Sequence, residues 1–206
     1  MVAETRATRG SISNLAACMK GRIRIEPEWI PRRENEIADY LSRLVDYDDW
    51  MLNPEVFAEL DVVWGPHTVD RFADASNAQL VRFNSRHWSP GTEAVDAFTC
   101  DWGSENNWWC PPVYLIPRLL RHAQITKAHG TLIVPQWVSA PFWPLLFPDG
   151  IDPAQFIKES RVLPMKEPLF MTGPSGANLF KGTPNTPVLA MRLCFADDVN
   201  AELGVD

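Results

Sequence analysis

A loop of tryptophan, cysteine and proline has the clearest chemical potential in this sequence. It reads Trp109-Cys110-Pro111-Pro112, and Pro135-Gln136-Trp137 forms a second group of similar character. A thiol accepts hydrogen bonds only weakly, whereas an indole ring can stack on a nucleobase. Indole rings also pack well in protein cores, which is their more common role. Both interpretations therefore stay open for Trp108, Trp109 and Trp137.

The elements expected to position these groups form a strand–helix–strand unit. Alternating apolar and polar residues predict a half-buried strand over residues 94–102. The pattern of Val113–His122 predicts a helix that starts or kinks at Pro117 and that Gly130 ends. The apolar run Thr131–Val134 then predicts a strand inside a parallel sheet. Because crevices in such sheets lie at the carboxyl ends of the strands, the two aromatic groups should meet at one mouth.

Two aspartates and several basic residues are also placed where a ligand could meet them. Asp70 lies at the centre of a predicted strand over residues 68–73, and Asp101 directly precedes Trp102. Carboxylates at strand ends most often cap a turn or face solvent. The basic residues either form a solvated surface or follow the phosphates of a bound nucleic acid. They are Arg82, Arg86, His87, Arg118, Arg121 and His122.

The composition is that of an acidic globular protein. The chain has 206 residues, of which 46% are hydrophobic and 22% charged, and its formal net charge is −7. This charge disfavours a strongly basic nucleic-acid clamp but is compatible with local basic patches. The four cysteines lack CxxC spacing, which favours reduced thiols over a zinc site. Without a long apolar run or a signal pattern, we expect an intracellular protein, nuclear or cytoplasmic, with no membrane partner.

The N-terminal part carries a separate pattern around Asp39. Its residues are Trp29-Ile30-Pro31-Arg32, Asn35, Ala38-Asp39 and Leu41-Ser42-Arg43. They resemble the end of the ribonuclease H domain of retroelement reverse transcriptases. The resemblance implies that Asp39 is a vestigial catalytic carboxylate and an ancestral Mg²⁺ ligand, since two carboxylate-held metal ions activate water in that reaction. The family's other three carboxylates have no counterpart here, so we expect no nuclease activity.

A longer series of ordered landmarks runs through residues 60–147. The series comprises Gly65-Pro66-His67-Thr68-Val69-Asp70, Phe72-Ala73, Asn77, Arg82-Phe83, Asp96-Ala97-Phe98, Asp101-Trp102, Trp109-Cys110-Pro111-Pro112, Ile133-Val134-Pro135, Trp137 and Trp143. It resembles the phage-type adenine-N6 DNA methyltransferases. It is still more similar to the degenerate copy that follows the ribonuclease H domain in DIRS-type, tyrosine-recombinase retroelements. Two such blocks in this order indicate a fragment of one retroelement polyprotein.

The second resemblance implies a degenerate catalytic loop at Cys110, Pro111 and Pro112. Such enzymes extrude the base and hold its amine with an Asn or Asp oxygen and a proline carbonyl, while the next aromatic residue stacks on the base. Cys110 and Val113 occupy the two side-chain positions here, and Tyr114 follows one residue later.

The same resemblance implies binding roles for residues outside that loop. Asp70 and Asp101 become candidate ligands of S-adenosylmethionine, which, like Mg²⁺, is an ancestral cofactor that we do not expect the chain to retain. The residues expected to face DNA or RNA are Trp109, Tyr114, Trp137, Arg82 and Arg86.

The predicted fold class is α/β, a Rossmann-like, methyltransferase-like three-layer domain preceded by a strand–helix fragment of a ribonuclease H fold. Asn53 is predicted to cap a helix over residues 54–63 that carries Val56, Phe57, Leu60 and Val63 on one face. The predicted organisation is a ribonuclease H fragment at 13–44, an acidic linker at 45–52, the methyltransferase-like domain at 53–195 with an irregular stretch at 160–187, and an acidic tail at 196–206.

Three functions remain as hypotheses. The first is a non-catalytic retroelement remnant whose methyltransferase-like module faces nucleic acid. The second is an active adenine-N6 DNA methyltransferase that uses the Cys110-Pro111-Pro112 loop. The third is a protein-interaction domain used by the host and unrelated to nucleic acid.

Overall fold

A computed structural model describes residues 50–164, 168–172 and 186–196. The predicted ribonuclease H fragment at 13–44, and with it Asp39, lies outside the described residues. So do most of the predicted acidic tail and part of the stretch at 160–187. All described residues belong to one compact unit, which spans Val45–Asp206.

Short strands and three α-helices alternate along the described chain. Their order is β1 (Trp50–Leu52), α1 (Pro54–Trp64), β2 (Val69–Asp70), β3 (Asn84–Ser85), β4 (Ala94–Val95), β5 (Asn106–Trp109), α2 (Ile116–Ile125), β6 (His129–Pro135), α3 (Trp143–Leu146), β7 (Ile157–Val162), β8 (Phe170–Thr172) and β9 (Val188–Cys194). Short 3-10 helices lie at Ala97–Thr99 and Val113–Leu115. None of the described helices is long and apolar enough to cross a bilayer.

The central feature is a five-stranded mixed sheet with the order β2-β5-β6-β9-β7. Strands β2, β5 and β6 are parallel neighbours, and β9 runs antiparallel to both β6 and β7. Two further pairs, β1 with β8 and β3 with β4, lie outside this sheet. The α/β class predicted from the sequence is thereby confirmed.

Adjacent residues of β5 point to opposite faces of the sheet, as the two-residue period of a strand requires. Trp108 packs in an apolar cluster with α1 residues such as Leu60, whereas Trp109 packs in a second cluster with α2 residues such as Leu119. Both rings are fully buried. Helices therefore cover both faces of the parallel strands, and every residue of β6 from Gly130 to Pro135 is buried.

The β5–α2–β6 segment is the predicted strand–helix–strand unit, but its first strand lies later than predicted. Most of residues 94–102 form no strand, because Asp96 adopts a left-handed backbone with φ of 58° and its carboxylate accepts the N–H of Phe98. Such local side-chain bonds compete with strand pairing. The helix begins at Ile116 with Pro117 in its first turn, as predicted.

Gly130 does not end α2, which was the sequence-based prediction. The helix ends at Ile125, and Gly130 lies within β6 opposite Asn107 of β5. A side chain at Gly130 would collide with the backbone of Asn107. The glycine is therefore explained by close approach of two strands rather than by helix termination.

The predicted start of α1 is confirmed. The side chain of Asn53 accepts the N–H of Glu55 at 2.9 Å, and Pro54 occupies the first turn. The prediction of the buried face was wrong at the end of the helix, since Val63 is 48% exposed and Trp64 is buried instead. The helical repeat of 3.6 residues places Trp64, four positions after Leu60, on the core side.

Two segments predicted to lack regular structure contain strands. Trp50–Leu52, placed at the end of the acidic linker, form β1 and pair with β8. The supposedly irregular stretch at 160–187 contains the end of β7 and all of β8. The partner of β1 lies more than a hundred residues away, and the partner of β7 follows a proline-rich segment. Local composition therefore gave no signal that either strand would pair.

Candidate functional site

A cleft of about 640 Å³ opens where the chain leaves β2 and β5. Arg71, Phe72, Ala73 and Asp74 follow β2 and form one part of its lining, and Pro112 and Tyr114 follow β5. The remaining sides come from the β3–β4 region, the 3-10 helix at Ala97–Thr99 and the start of α2. The cleft thus lies at the carboxyl ends of parallel strands, the place where α/β sheets bind ligands.

The cleft wall contains a buried arginine. Arg71 is only 4% exposed, and its Nε and NH1 groups donate to Oδ1 of Asn107 and Oδ1 of Asn84, both at 2.8 Å. NH2 makes a longer contact of 3.4 Å with the carbonyl oxygen of Asp101. In the described part of the chain no carboxylate pairs with this guanidinium, and burial lowers the pKa of Arg71.

Aromatic side chains line the opening of the cleft. The rings of Trp88 and Tyr114 are each 57% exposed and belong to its lining. The guanidinium of Arg118 lies 3.8 Å from the ring centre of Phe98, and both side chains line the same cleft. Exposed rings and a flat guanidinium are surfaces on which planar ligand groups can stack.

The cleft is positive although the chain is acidic. The positively charged residues of its lining are Arg71, Arg86 and Arg118, and the negatively charged ones are Asp74 and Asp96. Three cations minus two carboxylates leave a formal charge of +1, with His87 counted as neutral. The whole chain carries −7. Arg118 pairs with Asp96 at 3.5 Å, so the excess positive charge comes from Arg71 and Arg86 over Asp74. This local sign favours an anionic ligand, since a cleft concentrates the field of its own charges.

Asp70 is buried at the end of β2, next to the cleft wall. Its two carboxylate oxygens accept the backbone N–H groups of Phe72 at 3.3 Å and Gln79 at 3.1 Å. Burial raises the pKa of Asp70 to about 6, and the two N–H groups oppose that rise only in part. Asp70 thus fixes the turn after β2. This is the structural role expected as the alternative to binding S-adenosylmethionine.

The Cys110-Pro111-Pro112 loop reaches the cleft only through its last residue and its neighbours. Pro112 and Tyr114 line the cleft, whereas Cys110 packs against the cluster under α1. Val113 packs against the core. Tyr114, one position after Val113, is the aromatic residue of this segment that lines the cleft.

Several residues predicted to face nucleic acid have other positions. Trp109 is 0% exposed in the core, so its predicted stacking role was wrong. Arg82 forms ion pairs with Glu93 and Glu105, each at 2.9 Å. These carboxylates raise the pKa of Arg82 and balance its positive charge. Trp137 is half-buried and its indole N–H donates to Thr186 at 3.0 Å. Arg86, by contrast, lines the cleft.

Asp101 is exposed on the loop before β5, and its carboxylate accepts the N–H of Gly103 at 2.9 Å. That hydrogen bond is a turn-capping contact. No group of three or more His, Cys, Asp or Glu side chains suitable for a metal ion occurs among residues 50–164, 168–172 and 186–196.

A hydrogen-bonded chain of Asp61, His67 and Thr131 was not anticipated from the sequence. His67 contacts Asp61 through Nδ1 at 2.6 Å and Thr131 through Nε2 at 2.8 Å. Burial lowers the pKa of His67, while Asp61 opposes that shift. Thr131 is buried and is not part of the cleft lining, and the hydrogen-bonded chain joins α1 to β6.

No known family model matches this sequence, and no curated protein does either. The site must therefore be interpreted from its own geometry. Sequence reasoning missed Arg71, Trp88 and Phe98 as cleft residues. Trp88 had a usable signal, because a bulky ring directly before Ser89-Pro90-Gly91 occupies a turn where it is hard to bury.

Proposed function

We propose that this protein is a retroelement-derived, non-catalytic protein whose methyltransferase-like module faces nucleic acid. The observation that supports this most strongly is the cleft at the ends of β2 and β5. It combines a formal charge of +1 with two exposed rings, those of Trp88 and Tyr114. Positive charge with aromatic platforms is the combination used to bind single-stranded nucleic acid.

The proposed Rossmann-like architecture rests on the parallel strands β2, β5 and β6 and on the helices that cover both faces. An antiparallel strand within a larger, mainly parallel sheet is common in such folds. The retroelement origin rests on the sequence resemblances of residues 29–43 and 60–147. The order of the two blocks is the argument for a single polyprotein source.

Absence of methyl transfer follows from the chemistry of the Cys-Pro-Pro loop. Methyl transfer to an adenine amine needs a strong acceptor beside the amine and a ring against the base. Cys110 supplies a weak acceptor and packs against the apolar cluster under α1, and Val113 supplies no ring. The carboxylate of Asp70 is buried and already accepts two backbone N–H groups.

An active adenine-N6 methyltransferase is the second candidate, and one observation favours it. Tyr114 presents an exposed ring to the cleft two residues after Pro112, where it could support a base. Isothermal calorimetry with S-adenosylmethionine separates the candidates. The non-catalytic proposal predicts no heat at millimolar donor, and saturable binding would favour the enzyme.

The proposal is tested by equilibrium binding of a single-stranded oligodeoxynucleotide across a series of salt concentrations. Phosphate contacts predict a linear loss of log affinity with log salt, with a slope of about −0.7 for each phosphate neutralised. Combined Trp88→Ala and Tyr114→Ala substitutions should weaken binding by about tenfold or more, because each stacked base contributes about 1–3 kcal/mol. A salt-independent affinity would instead favour a protein-interaction domain.

A further inference from the structure

We infer that the cleft contains an oxyanion subsite built from Arg71 and Asn84, which receives a terminal phosphate or carboxylate group of the bound ligand. This inference rests on the proposed function in that it names what one end of the nucleic-acid ligand would contact. The subsite itself is argued from buried polar atoms and can be tested without nucleic acid.

No carboxylate among the described residues forms an ion pair with Arg71, although Glu93 and Glu105 act on its charge at longer range and its guanidinium lies 5.7 Å from the ring centre of Trp102. The guanidinium is almost fully buried, and its hydrogen-bond partners are two amide oxygens and one carbonyl oxygen, all neutral. A guanidinium has five N–H donors, so two remain beyond these three contacts. Buried charges are normally paired, and a bound oxyanion would supply the missing partner.

The same hydrogen-bonded network contains a buried donor without a partner among the described residues, Nδ2 of Asn84. Asn84 is 1% exposed. Its Oδ1 accepts from Arg71, which fixes the orientation of the amide and leaves NH₂ as the unpaired group. A buried amide nitrogen left unpaired is costly unless an acceptor reaches it.

The position of the pair explains why the ligand group must be terminal. Arg71 lies in the cleft wall, and Asn84, whose side chain is not part of the lining, is buried beside it with Oδ1 2.8 Å from NH1 of Arg71. An internal phosphodiester is flanked by two sugars and is too bulky to meet a guanidinium that is only 4% exposed. A phosphate monoester or a carboxylate has the planar pair of oxygens that a guanidinium binds best.

The test uses Asn84→Asp, which places a carboxylate where the amide oxygen already meets Arg71. This near-isosteric change keeps the hydrogen bond to Arg71 and fills the subsite with a resident anion. Arg192→Gln is the matched control, because it also changes the net charge by one unit and lies exposed on β9, away from the cleft. A thermal melting curve is recorded for each variant first, so that binding is compared only between folded proteins.

Two measurements then distinguish the sources of the anion. The 5′-phosphorylated form of one short oligodeoxynucleotide should bind the wild type about tenfold more tightly than its 5′-hydroxyl form, a typical gain for a charge-assisted pair. Asn84→Asp should abolish this preference, and Arg192→Gln should retain it. Inorganic phosphate and sodium acetate, titrated separately, should raise the melting temperature of the wild type and not that of Asn84→Asp.

The outcomes separate this inference from the proposed function. Equal affinity for the two oligonucleotides, together with no stabilisation by phosphate or acetate, overturns the subsite while nucleic-acid binding stands. Retention of the 5′-phosphate preference in Asn84→Asp also overturns it. If neither oligonucleotide binds but phosphate or acetate stabilises only the folded wild type and the control, the subsite stands and the proposed function fails.

Discussion

Nε of Arg71 donates to Oδ1 of Asn107 at 2.8 Å, and this contact joins the cleft wall to the central sheet. Asn107 lies in β5, and its Nδ2 is within hydrogen-bonding distance of the carbonyl oxygens of Trp102, Glu105 and His129, at 2.8–3.0 Å. One amide therefore ties together the loop before β5, the start of β6 and the buried cation. The cleft is shaped by this network rather than by the Cys-Pro-Pro loop.

Replacement of Asn107 by alanine should lower the free energy of unfolding by about 3 kcal/mol or more, because a buried guanidinium and several carbonyl groups lose a partner. Urea denaturation at neutral pH measures this change. Gln136→Ala, which alters an exposed amide beyond the end of β6, is the control and should change stability by less than about 0.5 kcal/mol. Similar midpoints for the two variants would contradict the role assigned to Asn107.

Asp70 should make the protein less stable as the pH rises. Its pKa is raised from 3.8 to about 6 in the folded protein, so the folded state binds more protons than the unfolded state between these values. Stability from this group is fully present below pH 3.8 and is lost as the pH rises through 6. The stability of Asp70→Asn relative to wild type should therefore increase between pH 4 and pH 7 by about 2 kcal/mol.

This comparison removes the contribution of His67, which has the opposite sign. A lowered pKa of His67 means that its contribution is present above the ordinary value of 6.5 and is lost as the pH falls. Asp149→Asn is a useful sign control, because backbone N–H groups of Ile151 and Asp152 lower the pKa of Asp149. The relative stability of that variant should fall with rising pH; a parallel trend in both variants would refute the assignment for Asp70.

Loss of the Asn53 cap should destabilise the start of α1. The Asn53→Ala variant removes the acceptor of the Glu55 N–H and should cost about 1 kcal/mol of unfolding free energy. Asn53→Asp keeps an acceptor at the same place and should lose much less. Thermal unfolding monitored by circular dichroism checks both. Equal destabilisation by Ala and Asp would mean that the Nδ2 contact with Pro168, and not the cap, carries the effect.

The parts of the fold that depend on nearby residues were predictable from the sequence. The Asn53-Pro54 helix start and the entry of α2 at Pro117 each need only a few adjacent positions. Gly130 was misinterpreted because the reason for a glycine there is the backbone of Asn107, which is distant in sequence. The same limit hid the pairing of β1 with β8.

The candidate site was predictable only in outline. The strand-end rule correctly placed Pro112 at a cleft, but it also selected Gln136 and Trp137, which do not line that cleft. It selected Trp109 too, because a two-residue period does not say which face of β5 is covered. Arg71 had no signal at all in its own neighbourhood. Its two amide partners, Asn84 and Asn107, follow 13 and 36 residues later, and only the folded chain brings them together.

The central claim is that the cleft binds single-stranded nucleic acid, and one paired measurement tests it most directly. The slope of log affinity against log salt is compared for wild type, Arg118→Gln in the cleft and Arg192→Gln on β9. Nucleic-acid binding through the cleft predicts weaker binding and a slope shallower by about 0.7 for Arg118→Gln only, since one phosphate contact is lost. Identical slopes for all three proteins, or no measurable affinity in the wild type, would contradict the account.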